Sequence, residues 1–161
     1  MFVVCIHGFR SGLGWLGLRR AAALGAAIGG WARWIFPGLR AVARAQLAVA
    51  FPERSAAERD DIILQMFRGL GRSLAEIILM DEIASDIDYW VESEGLEIMD
   101  RALAEGRGLI LVTGHIGNWE LLAAFLALKS YPVTAIATPV KGAALNQENI
   151  DLRRRVGVET L

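Results

Sequence analysis

The hydrophobic pattern changes twice along this 161-residue chain. Residues 1–36 are rich in Leu, Ala, Gly and Trp, with arginines cutting the apolar stretches, so that the longest charge-free run is Ala21–Ala32. Pro37-Gly38 interrupts this region, and Leu39–Ala50 reads as a helix with Arg40 and Arg44 one turn apart on one face. Phe51-Pro52 ends it. Ser55-Ala56-Ala57-Glu58 has the form of a capping box, in which hydroxyl and carboxylate each take a free amide at a helix start. Behind it Ile63, Met66, Phe67, Leu70, Leu74, Ile77 and Ile78 recur at helical spacing to about Met80, with Gly69 and Gly71 permitting close packing against a neighbour.

After the acidic stretch Asp81–Asp88 the period shortens. Tyr89–Ser93 is expected as a short strand, and Leu96, Met99 and Leu103 mark a helix ending at Gly106. Leu109–Thr113 has the length and composition of a buried strand, Asn118–Lys129 of an apolar helix, and Val133–Thr138 of a further strand. Val158–Leu161 reads as the start of another. Strands alternating with helices over short connections predict an α/β fold. N-terminal membrane-associated helices lead into a partial parallel sheet of βα units. The expected organisation is a basic apolar helical region over 1–52, a helical segment over 53–88, and the first part of an α/β domain over 89–161.

Charge sharpens this picture. Residues 1–52 hold six arginines and no acid, whereas 53–161 hold eleven cations against eighteen acids. The net charge of −1 thus sums a +6 segment and a −7 segment. A spanning helix needs about 20 apolar residues without charges, which the arginines deny. Trp15, Trp31 and Trp34 among arginines suit a helix lying in the plane of an anionic leaflet. Competing accounts are a buried helix pair of a soluble domain and a signal peptide built on Arg19-Arg20 and Ala21–Ile28. A hydrophobic content of 54% excludes disorder, near-neutral net charge argues against a nucleic-acid partner, and the lone Cys5 excludes a disulfide framework.

In parallel sheets ligands gather beyond the carboxyl ends of strands, which directs attention to the segment after Leu109–Thr113: Gly114-His115-Ile116-Gly117-Asn118-Trp119-Glu120. An imidazole there can take a proton from an alcohol and return it to a leaving group. Glu120, five residues on, is a candidate to fix its tautomer. Gly114 and Gly117 permit tight backbone geometry, amides at the helix start suit an anion, and Asn118 is a candidate cap. A structural histidine is the alternative at this stage. No second His and no Cys lies near for a metal site, and no Gly-x-Ser-x-Gly elbow exists for a serine hydrolase.

The run Gly114–Glu120 on its expected strand resembles the lipid A biosynthesis (lauroyl/myristoyl) acyltransferases of the lysophospholipid acyltransferase-like superfamily. Relatives that acylate phosphatidylinositol mannosides share it. Arg44–Glu53, Phe67–Arg72 with Glu76, and Glu94–Glu97 followed by Gly106–Thr113 are similar to further family segments. The resemblance implies transfer of a fatty acyl group from an acyl carrier protein thioester, as co-substrate and without other cofactor, to a hydroxyl of a lipid A precursor. The setting is the cytoplasmic face of the bacterial inner membrane. It makes His115 the general base and Glu120 its orienting carboxylate, with no metal and no covalent acyl-enzyme. Gly114, Gly117, Asn118 and Arg154 are the expected substrate-binding residues, Arg154 through the basic run Arg153-Arg154-Arg155, whose other reading is a solvated helix end. Thr138-Pro139 and Lys141-Gly142 stand where the family usually carries Arg-Pro and a following Asn. Family members are about twice as long, so weak activity or none is expected of this chain alone. A phosphatidylinositol mannoside or other lysolipid acceptor, or a non-catalytic membrane-bound fragment, are the alternatives.

Overall fold

The structure, a computed structural model, describes residues 14–139 and 141–161, and forms two compact units, one running to Met80 and the other from Asp81 to Leu161. Expectations that fall on residues 1–13, Cys5 among them, lie outside the described residues.

The described residues of the first unit include the helices α1 (Leu18–Ile35), α2 (Pro37–Ala50) and α3 (Ala56–Ile78). Pro37 occupies the first turn of α2, where its missing N–H costs nothing. Ser55 and Glu58 form the expected box: the Glu58 amide donates to Ser55 Oγ at 3.2 Å and the Ser55 amide to Glu58 Oε2 at 2.7 Å. Ser55 Oγ, donating to Glu58 Oε2 at 2.7 Å, and then the Ser55 amide hold the Glu58 carboxyl below the usual carboxylate range. α1 packs on α3 through glycine, because a β-carbon on Gly71 would overlap the Gly25 carbonyl oxygen and one on Gly29 the Phe67 carbonyl oxygen. Leu18, Ala21, Ile63, Phe67 and Ala75 are buried in this unit. α2 buries no residue and is tied to α3 by Arg44, whose Nε and Nη2 donate to the two oxygens of Asp60 at 2.7 and 2.5 Å.

The second unit contains most of the short helix α4 (Met80–Ser85), then α5 (Ile87–Trp90), α6 (Leu96–Ala104), α7 (Trp119–Leu128), β1 (Thr134–Ala135), α8 (Ala143–Arg155) and β2 (Glu159–Thr160). β1 and β2 are parallel, with Thr134 opposite Glu159 and Ala135 opposite Thr160. α8 lies between them in the chain and turns into β2 through a Schellman close: the Val158 amide donates to the Arg153 carbonyl at 2.9 Å, with Gly157 at φ 85°. Ala124, Phe125, Leu126, Leu152, Val156 and Val158 are buried.

The sheet is narrower than the pattern predicts, and the described residues are mainly helical. Tyr89 and Trp90 end α5 rather than open a strand. Leu109–Thr113 has no ladder partner, and Ile110 and Val112 stand 89% and 88% exposed. Val133–Thr138 contributes only two strand residues. Alternating or continuous apolar character selects extended backbone, but a strand exists only where a second segment meets its amides and carbonyls. Among the described residues, only β1 and β2 supply each other with that. No described helix is long and apolar enough to cross a membrane.

Candidate active site

Loop 105–118 delivers His115 just ahead of α7. The Ile116 amide donates to the Gly114 carbonyl at 2.8 Å, and Gly117 takes φ 60°, a left-handed conformation that glycine adopts without penalty. Asn118 then caps α7, its Oδ1 accepting from the Leu121 amide at 3.1 Å. The tight turn and the cap together fix where the loop ends. His115 is exposed, and its ring meets Trp119 edge-on, centroid to centroid 4.6 Å at 64°. Trp119, the first residue of α7, is half-buried.

Glu120 turns the other way. It is buried at 9% exposure and its carboxylate is gripped by Arg153 from the last turn of α8, Nε to Oε2 at 2.8 Å and Nη2 to Oε1 at 2.5 Å. This two-pronged geometry is the strong form of the pair. It also joins an acid in the first turn of one helix to a base in the last turn of another, which suits both helix dipoles. The hydrogen bonds to Glu120 hold the Arg153 guanidinium above its ordinary range, against the opposing effect of burial.

The expected residues therefore divide into two sets. Gly114, His115, Gly117 and Asn118 share one turn. Glu120 follows directly, but the structure brings it to Arg153 and not to His115. Arg154 is largely exposed and pairs with Asp151 at 3.2 Å, while Arg155 stands 3.8 Å from Asp81 and 3.9 Å from Glu148. Arg153 is the residue that sequence reasoning passed over within the basic run. Its signal is spacing: it lies three residues from both Ile150 and Val156, on the side of α8 that carries apolar residues. Among the described residues no three His, Cys, Asp or Glu side chains gather as a metal-binding group.

Residues 3–161 match the family model described as bacterial lipid A biosynthesis acyltransferase. The chain belongs to that family. It is 35% identical over 99 residues to the lipid A biosynthesis palmitoleoyltransferase of Escherichia coli (strain K12), covering 61% of this chain and 32% of that protein. It is 30% identical over 123 residues to the phosphatidylinositol mannoside acyltransferase of Mycobacterium tuberculosis (strain ATCC 25618 / H37Rv), covering 73% of this chain and 38% of that protein. The chain thus spans about a third of the length of the curated relatives it matches. No solved structure matches it.

Proposed function

We propose that this member of the lipid A acyltransferase family carries the acyl-transfer loop of an O-acyltransferase. The donor is an acyl carrier protein thioester and the acceptor a hydroxyl of a lipid A precursor, with a phosphatidylinositol mannoside as the related alternative. The observation that carries the proposal is the exposed imidazole of His115, held by Trp119 on a capped turn in a chain that matches the family from residue 3 to 161. His115 takes the proton from the acceptor hydroxyl as its oxygen forms a bond to the thioester carbonyl carbon. The resulting oxyanion is met by the amides of the turn and of the helix start. Its collapse breaks the C–S bond, and the proton on the imidazole passes to the departing thiolate, leaving ester and thiol. Glu120 acts on the turn through its grip on Arg153, which holds the first turn of α7 in place beneath His115. Arg154, on the exposed side of α8, is assigned a contact with acceptor phosphate.

The site works at a lipid surface, on the cytoplasmic face of the bacterial inner membrane. The acid-free segment 1–52, with Trp31 and Trp34 exposed at 76% and 61%, is the face that meets it. The test offers the purified chain an acyl carrier protein thioester and a lipid A precursor, and follows ester formation by mass spectrometry. Slow product formation is expected, falling by about 10²–10⁴-fold in His115→Ala, the usual contribution of a general base. Equal turnover in the variant, or lipid binding with no ester formed by the parent chain, overturns the proposal.

A further inference from the structure

A general base works in one ring orientation, because its lone pair must point at the hydroxyl it deprotonates. An exposed imidazole turns about two side-chain bonds and needs a partner to hold it. The customary partner is a carboxylate that accepts the second ring N–H. Here Glu120 is committed elsewhere: its two oxygens accept from Arg153 Nε at 2.8 Å and Nη2 at 2.5 Å, and the residue is buried. Among the described residues no carboxylate forms an ion pair with His115 and no side-chain hydrogen bond reaches its ring. The group that meets the imidazole is the indole of Trp119, centroid to centroid 4.6 Å at 64°.

The local backbone explains why this contact forms. Gly117 at φ 60°, with the Ile116 amide bonded to the Gly114 carbonyl at 2.8 Å, turns the chain just ahead of α7. Asn118 Oδ1 accepts from the Leu121 amide at 3.1 Å and so fixes where α7 begins. Trp119 is the first residue of that helix and half-buried, whereas His115 lies in the preceding loop and is exposed. Ala124, Phe125 and Leu126, further along the same helix, are buried. The indole thus belongs to a packed helix and the imidazole to the loop, so their contact places the loop's ring relative to the helix. Its separation lies in the range of edge-on aromatic pairs, about 4.5–7 Å between centroids. The strength of such a pair favours the held orientation about two- to tenfold over a free ring.

We infer that Trp119 is the positioning residue of His115: its indole, where a carboxylate would customarily stand, holds the imidazole in the orientation that takes the acceptor proton. The inference rests on the reading of His115 as general base and adds the group that orients it. Two measurements test it. In the acyl-transfer assay Trp119→Leu is expected to lower kcat about two- to tenfold with KM for the acceptor unchanged. Trp119→Phe, which keeps an aromatic ring, is expected to retain most of the parent rate. Unchanged turnover in Trp119→Leu, an equal loss in Trp119→Phe, or a change confined to KM overturns the role. Proton NMR reads the contact itself, also where Trp119→Leu fails to fold. The His115 ring protons, assigned by their loss in His115→Ala, are expected to be displaced by the indole ring current in the folded parent chain relative to the urea-unfolded one. Coincident folded and unfolded positions overturn the contact and the role with it. If His115→Ala turns over as fast as the parent, or the parent forms no ester, the general-base reading falls and this role with it. A large His115 effect with no Trp119 effect removes the role alone.

Discussion

Among the described residues of the second unit, Arg153 and Glu120 form an enclosed ion pair, with side-chain exposures of 13% and 9%. Such a pair adds little relative to a well-packed apolar couple, but losing one member is costly, because the survivor is left charged and unpaired in a poor solvent. Arg153→Leu is therefore expected to lose about 3 kcal/mol in urea denaturation, and Arg153→Leu with Glu120→Leu to recover most of it. If the double variant is as unstable as the single one, the pair is not what Arg153 contributes. The sign of its pH dependence is also set. The folded guanidinium is held above its ordinary range by Glu120, so its contribution is present at neutral pH and on the alkaline side declines only at extreme alkalinity. Glu58 and Asp60 behave oppositely: Ser55 and Arg44 hold their carboxyls low, and their contribution fades as pH falls into the carboxylate range.

At the scale of elements, two glycines two residues apart in α3 have opposite meanings. Gly69 has open space around it, so a methyl group there only restricts the unfolded chain and favours the helix. Gly71 faces the Gly25 carbonyl, and a methyl group there must push α1 away. Gly69→Ala is expected to raise stability by about 0.5–1 kcal/mol, and Gly71→Ala to lower it by about 1–3 kcal/mol, the ordinary cost of overpacking. Thermal unfolding followed by circular dichroism reads both. Similar shifts for the two variants would mean that α1 and α3 are not in backbone contact at Gly71. α3 was legible in the sequence, because the box at Ser55 and the apolar spacing of Ile63, Phe67 and Leu70 act within a turn or two, whereas Pro37-Gly38, expected as a break ahead of Leu39, opens α2 itself. Strand length was not. Leu109–Thr113 has strand composition, but pairing depends on where other segments lie, and none of the described ones reaches it.

For the whole molecule, the distribution of charge and apolar surface matters more than the totals. A basic front of 1–52 and an acidic remainder sum to near neutrality, and the exposed Ile110 and Val112 present extended apolar backbone without a ladder partner. Such a segment is a template for pairing with another chain. Ile110→Lys with Val112→Lys is expected to lower concentration-dependent association measured by light scattering, through charge on both exposed positions. Association equal to that of the parent chain would place the sticky surface elsewhere, the exposed Leu24, Ile28, Trp31 and Ile35 of α1 being the other large apolar face.

The sequence by itself determined α3 and α7 with their caps at Ser55 and Asn118, the segregation of charge at Glu53, and the position of the Gly114–Glu120 turn, because each depends on neighbours a few residues away. It also carried the family, since the motif residues are contiguous. Only the tertiary structure decided that Glu120 faces Arg153 across 33 residues of chain and that Arg154 stays outside. Tertiary structure also selected Thr134–Ala135 and Glu159–Thr160 as the pair of strands. A side chain's own identity states what it can bind, but the partner that reaches it is set by how distant segments pack, where burial makes an unpaired charge or backbone group too costly to leave.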